Sequence, residues 1–200
     1  MTPNTYLYFD YYQAKDTDSE PLAIGSFLEE RFPHEETPFY TAFFSSAGVE
    51  EAVKFLFLFF LIWGNRNFNE PLDGIVYGVF VSLGFAWAEN VIYVTHPILG
   101  GYETALERAL LSVPGHGLFG VRMGYYFALG KYRNRKRYLP LAFFSPYLAH
   151  ALYNYFLLKR EPVFWLFFSV LEVRLWGFGL KRIKELQNCS PFREKVSKES

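Results

Sequence analysis

The residues with the strongest claim to chemistry are Glu50, Glu51 and Lys54, in the stretch Gly48-Val49-Glu50-Glu51-Ala52-Val53-Lys54. Around them, Phe39 to Trp63 is otherwise almost wholly apolar and aromatic. At a rise of ~1.5 Å per residue, about 20 apolar residues cross a bilayer core. The run therefore reads as a membrane span carrying two carboxylates and an ammonium near its middle. Each such group costs on the order of 3 kcal/mol on insertion scales, and nothing about crossing lipid requires it. Three further apolar runs carry polar groups: Phe85-Ala86-Trp87-Ala88-Glu89-Asn90, Val113-Pro114-Gly115-His116-Gly117 and His150-Ala151-Leu152-Tyr153-Asn154.

Helical residues four apart share a face, so Glu50 stacks on Lys54 and His150 on Asn154. A Glu50–Lys54 pair that only neutralises itself is the bland reading. It leaves Glu51, turned about 100° from Glu50, in need of a partner on another helix, for which a histidine is the natural candidate. A lone His116 would ordinarily be a helix-packing hydrogen-bonder. Here Pro114 removes a backbone hydrogen bond beside it, and Gly115 and Gly117 open room. Glu89 and Asn90 also suit a plain interhelical polar contact. Counted from the outer ends of their spans, Glu50 lies ~17 Å deep, Glu89 ~8 Å, His116 ~15 Å and His150 ~12 Å. Groups from two inward-running and two outward-running spans thus meet near one level, as a single buried, watered site requires.

No hydroxyl or thiol sits with a base at nucleophile spacing. Ser45 and Ser46 lack a Gly-x-Ser-Gly setting, Cys189 lies in the C-terminal tail, there is no Gly-x-Gly-Asp, and His34-Glu35-Glu36-Thr37-Pro38 lacks the second histidine of His-Glu-x-x-His. What remains is water activated by a glutamate general base, with imidazole and amide groups holding the oxyanion. Glu50 and Glu51 both qualify as that base. The expectation is a site without a cofactor. A zinc ion held by a subset of Glu50, Glu51, Glu89, His116 and His150 is the alternative, although the spacing matches no established zinc motif. A proton-coupled transporter or a non-catalytic membrane binding module is the rival from another class.

These groups need helices to carry them. Five spans are expected, Phe39–Trp63, Pro71–Val94, Leu106–Leu129, Tyr138–Leu158 and Pro162–Leu180, giving an all-α polytopic transmembrane bundle over residues 39–187. An acidic, aromatic lead-in (1–38) precedes it and a flexible polar tail (188–200) follows. The composition agrees, with 51% hydrophobic and 21% aromatic residues among 200, too apolar for a small soluble domain. Twenty Lys+Arg balance twenty Asp+Glu, which leaves no footprint for nucleic acid. Gly74-x-x-x-Gly78 and Gly120-x-x-x-Gly124 give weak support for close helix packing. Arg122, Glu172 and Arg174 are expected to pair with one another or to snorkel to the inner surface.

Taken in order, Glu50-Glu51-x-x-Lys54, Phe85-x-x-x-Glu89-Asn90, His116 and His150-x-x-x-Asn154 resemble the PrsW family of intramembrane glutamic proteases, within the wider group of CAAX-processing endopeptidases and bacteriocin-immunity proteins. The resemblance covers Phe39 to Leu158. Lys54 stands where CAAX endopeptidases tend to carry arginine, and Glu89-Asn90 where they have histidine; both favour the PrsW branch. The likeness implies cleavage of a membrane-anchored protein, such as an anti-sigma factor, near the outer face of the lipid bilayer. It also implies Glu50 or Glu51 as base, His116 and His150 orienting water or stabilising the oxyanion, Asn154 donating to it, and Lys54, Glu89 and Asn90 in support. Family members usually have further N-terminal spans, which residues 1–38 do not supply.

Basic residues favour one side. Arg66, the Lys131–Arg137 loop and the C-terminal tail hold twelve Lys and Arg, against four (Lys15, Arg31, Lys159, Arg160) opposite. Basic loops stay in the cytoplasm, so a multi-pass cell-membrane protein with its N-terminus outside is expected. A reporter fused after Ser200 should read cytoplasmic; an extracytoplasmic signal overturns this topology.

Overall fold

Proline and glycine set the ends of the helices much as the sequence spells them. The computed structural model describes residues 38–95, 101–133, 136–159 and 161–192. In chain order, α1 (Pro38–Tyr40) runs through a π-helical stretch, π1 (Thr41–Gly48), into α2 (Val49–Ile62); then come α3 (Pro71–Thr95), α4 (Tyr102–Glu107), π2 (Arg108–Ser112), α5 (Val113–Tyr132), α6 (Tyr138–Lys159) and α7 (Pro162–Asn188). Pro71 and Pro162 open α3 and α7, where a missing N–H costs nothing. Ahead of α3, the Asp73 carboxylate accepts from the backbone N–H groups of Asn69 (2.9 Å) and Glu70 (3.0 Å). Gly101, at φ 130°, starts the α4 segment with a backbone that side chains disfavour.

The all-α expectation is met: among the described residues every regular element is a helix. Two boundaries differ. The outer parts of the first and third expected spans are π-helical, which an unbroken apolar run does not announce. The last helix continues to Asn188, past the expected Leu180. Its extra turns stay wound because Ile183 and Leu186 pack against Ile75, Val121, Tyr125 and Leu129, while Arg182 pairs with Glu185 one turn on. The expected acidic lead-in lies outside the described residues apart from Pro38, as does the end of the C-terminal tail.

Large apolar side chains cover the outside. Phe60, Phe80, Trp87 and Val173 are each more than 70% exposed, an arrangement that water does not tolerate over wide areas and lipid does. Two helices, Pro71–Thr95 and Pro162–Asn188, are long and apolar enough on their own to cross a membrane. The remaining ones are shorter or interrupted by the polar residues of interest.

The bundle's tightest seam joins α3 to α5 through the two glycine pairs. A Cβ added to Gly78 would lie 2.5 Å from the Gly120 carbonyl oxygen, and one added to Gly120 would lie 2.6 Å from that of Gly78. Backbones touch there because no side chain intervenes. At the C-terminal end of α5, Lys131 Nζ donates to the carbonyls of Trp63 and Phe68 (3.1 Å each), and Tyr132 Oη donates to Phe68 O at 2.7 Å. These bonds tie the α2–α3 loop to the end of α5. Seam and clamp together set how deep each helix sits.

Gly78→Leu should therefore push α3 off α5 and lower stability by about 1–3 kcal/mol, the usual range for overpacking. Gly84→Leu, at a position with nothing within 4 Å, should be near neutral. Thermal unfolding of both variants in the same detergent checks this.

Candidate functional site

The two glutamates of α2 diverge, as the 100° turn between them requires. Glu51 is fully buried; its Oε1 accepts from Lys54 Nζ at 2.7 Å and pairs with His150 Nδ1 at 2.9 Å. Glu50 is 13% exposed and faces a cavity of about 300 Å³ lined by π1, the start of α2, the last turns of α3, π2, the start of α5 and the last turns of α6. Glu89, Arg108, His116, His150 and Asn154 line the same cavity. The helix partner expected for Glu51 is thus His150.

Lys54 determines much of the proton arrangement. Its ammonium has three N–H bonds and no acceptor, and it has three partners: Glu51 Oε1 at 2.7 Å, His116 Nδ1 at 2.8 Å and Glu50 Oε2 at 3.4 Å. The reading of Lys54 as chiefly the partner of Glu50 therefore needs correcting, because its shorter bond goes to Glu51. Since an ammonium only donates, His116 Nδ1 accepts, and the neutral ring carries its proton on Nε2. That nitrogen lies 3.1 Å from Glu89 Oε2 and donates to it. His150 has the opposite tautomer. Its Nδ1–H donates to Glu51, and its Nε2 accepts from the Asn154 amide at 3.1 Å. Phe119 stacks on the His150 ring, centroids 4.6 Å apart, and fixes its plane.

Between these groups lies a gap. Glu50 Oε2 is 3.9 Å from His116 Nε2 and 3.9 Å from His150 Nε2, too long for direct hydrogen bonds and suited to one small species touching all three. Facing the gap are a carboxylate, an N–H donor and a lone-pair nitrogen. A metal is the other fit. One ligand atom each from Glu50, His116 and His150 lie within 4.8 Å of one another, and two imidazoles with one carboxylate form a donor set that zinc takes. The Glu51–His150 Nδ1 bond is the carboxylate support that a ligating imidazole usually has. His116 would have to give up its Nε2 proton to join. Of the other metal ligands considered from sequence, Glu51 turns to His150 Nδ1 and Glu89 sits behind His116.

A model of the PrsW family, described as intramembrane metalloproteases, matches residues 21–177. The chain belongs to this family. PrsW relatives in several bacteria agree. The protein named Protease PrsW of Geobacillus kaustophilus (strain HTA426) is 40% identical over 152 residues, covering 74% of this chain and 65% of the relative. Those of Bacillus subtilis (strain 168) and Clostridioides difficile (strain 630) are 37% and 32% identical over 156 residues, covering 69% and 66% of their lengths. The chain thus spans about two thirds of the length of these relatives. No solved structure matches it. The family is described as one of metalloproteases, whereas the resemblance of the motifs pointed to a glutamic protease.

Of the residues singled out on PrsW-like spacing, Glu50, Glu89, His116, His150 and Asn154 line the cavity. Glu51 and Lys54 lie buried behind it, and Asn90 Oδ1 accepts from Arg108 Nε at 2.6 Å. Three participants escaped the sequence reading. Ser46 Oγ donates to Glu50 Oε1 (2.9 Å) and accepts from Asn154 Nδ2 (2.9 Å), linking α6 to the pocket carboxylate. Arg108 Nη2 contacts Glu89 Oε2 at 2.9 Å and Ser112 Oγ at 3.1 Å, and its guanidinium lies 4.2 Å over Tyr93. Tyr153 Oη donates to the Leu111 carbonyl at 2.9 Å, bracing π2. A signal was present: Ser46-Glu50-Lys54 and Arg108-Ser112-His116 each step by four, so each trio follows one helix face.

Arg108 thus holds Glu89 against the proton-bearing edge of His116. Glu89→Gln and Arg108→Gln should each slow the activity proposed below by roughly ten- to a hundred-fold, as loss of an outer-shell partner does. The double variant should be no slower than the worse single one, since the two act as a unit. Losses that multiply in the double variant would assign them separate roles.

Proposed function

We propose that this membrane protein is an intramembrane endopeptidase in which Glu50 activates water to hydrolyse a peptide bond of a membrane-anchored protein. The observation that carries the reading is the three-sided gap, with Glu50 Oε2 equidistant at 3.9 Å from two imidazole nitrogens. A water there gives one proton to Glu50 Oε2, while its remaining O–H hydrogen-bonds to His150 Nε2 in place of the Asn154 amide. Its oxygen adds to the scissile carbonyl carbon. The developing oxyanion takes hydrogen bonds from the His116 Nε2–H, turned from Glu89, and from the Asn154 N–H that the water has displaced from His150. The proton on Glu50 then passes to the leaving nitrogen as the C–N bond breaks. Glu51 and Lys54 act one step back: Glu51 aims His150, and Lys54 fixes the tautomer of His116.

A second reading keeps the same residues. The grouping of Glu50, His116 and His150 and the family's description support a metal held by those three. Such an ion would supply Lewis-acid polarisation of the water and the carbonyl. In both readings Glu51 positions His150. The cavity opens toward the side opposite the basic loops, which supports an N-terminus outside, a cytoplasmic C-terminus, five spans and cleavage near the extracytoplasmic face. By the family likeness, the substrate is a single-pass signalling protein such as an anti-sigma factor.

Cleavage of a single-pass reporter by the full chain in liposomes tests this. Glu50→Gln should lower kcat by about a hundred- to ten-thousand-fold, the worth of a general base, with KM nearly unchanged. Glu51→Gln should cost roughly ten- to a hundred-fold through a misaligned His150. Full activity in Glu50→Gln overturns the assignment. Activity lost to a chelator and restored by zinc selects the metal reading. Proton flux without cleavage by the wild type selects a transporter.

A further inference from the structure

Two cations play no part in the site. Arg122 of α5 and Arg174 of α7 open onto a groove of about 610 Å³ beside α6, walled mainly by Leu148, Leu152 and Phe178. The sequence led us to expect that Arg122, Glu172 and Arg174 pair among themselves or snorkel. Instead Arg122 Nε donates to Ser145 Oγ at 3.0 Å, and its guanidinium lies 4.5 Å over the Phe178 ring. Among the described residues, no ion pair is made by Arg122 or Arg174. A guanidinium has five N–H donors, so most of those on Arg122 remain for whatever enters the groove.

Depth narrows what that is. Ser145 lies seven residues from the inner end of α6, ~10 Å, and Arg174 seven residues before Lys181, ~10 Å; Arg122 lies ten residues before Tyr132, ~15 Å. An unpaired charge at such depth is costly in hydrocarbon. A lipid phosphate resides outside the hydrocarbon core and approaches from the wrong level. A second copy packed symmetrically on this face would set arginine against arginine. A carboxylate carried at that depth by a helix has neither difficulty, and the apolar walls suit the rest of its surface.

We infer that the groove beside α6, between Arg122 and Arg174, docks one transmembrane helix of another protein that carries an aspartate or glutamate in its inner half. The groove shares no lining residue with the cavity of Glu50, so docking does not depend on the proteolytic reading.

The chain's single cysteine, Cys189, is exposed on the inner side and takes a donor fluorophore on the full-length protein in phosphatidylcholine vesicles. The probe is a Leu/Ala transmembrane peptide with Lys at both ends, an acceptor dye at one end and Asp seven residues from it. The control peptide has Asn in place of Asp. Energy transfer should report association roughly ten-fold stronger for the Asp peptide, in line with intramembrane polar pairing. Arg122→Gln and Arg174→Gln should each remove most of that preference. Arg174→Glu should shift the preference to a Lys peptide, a reversal that misfolding does not produce. Equal association of Asp and Asn peptides with the wild type overturns the inference. So does loss of the Asp preference on adding phosphatidylglycerol, which would assign the groove to an anionic lipid.

Discussion

The ammonium of Lys54 is the interaction on which the site depends. It is 1% exposed in an apolar bundle, where an ion survives only if its hydrogen-bonding capacity is met. Its partners come from two helices, Glu50 and Glu51 from α2 and His116 from α5, and Glu51 passes the linkage to His150 on α6. Three of the helices are therefore registered against one another by a single charge. The same contact decides which nitrogen of each imidazole carries hydrogen. Geometry and proton placement thus have one origin.

Such registration works only if the helices already stand at the right depth, and that is the work of apolar and backbone contacts. The α3–α5 glycine seam leaves no slack for sliding. Lys131 and Tyr132 pin the α2–α3 loop. The π-helical stretches lie at the other end, where Thr41, Ser46, Arg108 and Ser112 line the cavity. Single π turns within α-helices are commonly found at functional sites. In this chain they re-aim side chains at the rim of the cavity while the other end of the bundle keeps regular α-helical packing.

Much of this was legible in the sequence. Charges in apolar runs are costly enough that Glu50, Glu51, Lys54, Glu89, His116, His150 and Asn154 stood out without any structure. Proline and glycine gave most helix ends. Ser46 and Arg108 were harder to see: a serine is cheap in a membrane helix, and an arginine near a span's outer end reads as an interfacial anchor. Their roles come from contacts 18 to 108 residues apart in sequence, which local patterns do not encode. The π turns were invisible because they alter backbone winding without altering composition. The choice between the two glutamates was open for a related reason, since a helical turn places them on different faces but does not say which face meets the cavity.

The three bonds of Lys54 are unequal, and the longest, 3.4 Å, goes to Glu50. For the proposed reaction this inequality concerns where charge is held. When Glu50 takes a proton from water, negative charge leaves its carboxylate and reappears on the carbonyl oxygen a few ångströms away. The total charge within the low-dielectric interior stays constant, so the step moves an existing charge and creates none, which such a medium would penalise heavily. The carboxylate held least tightly by the ammonium is the one whose neutralisation disturbs the buried network least.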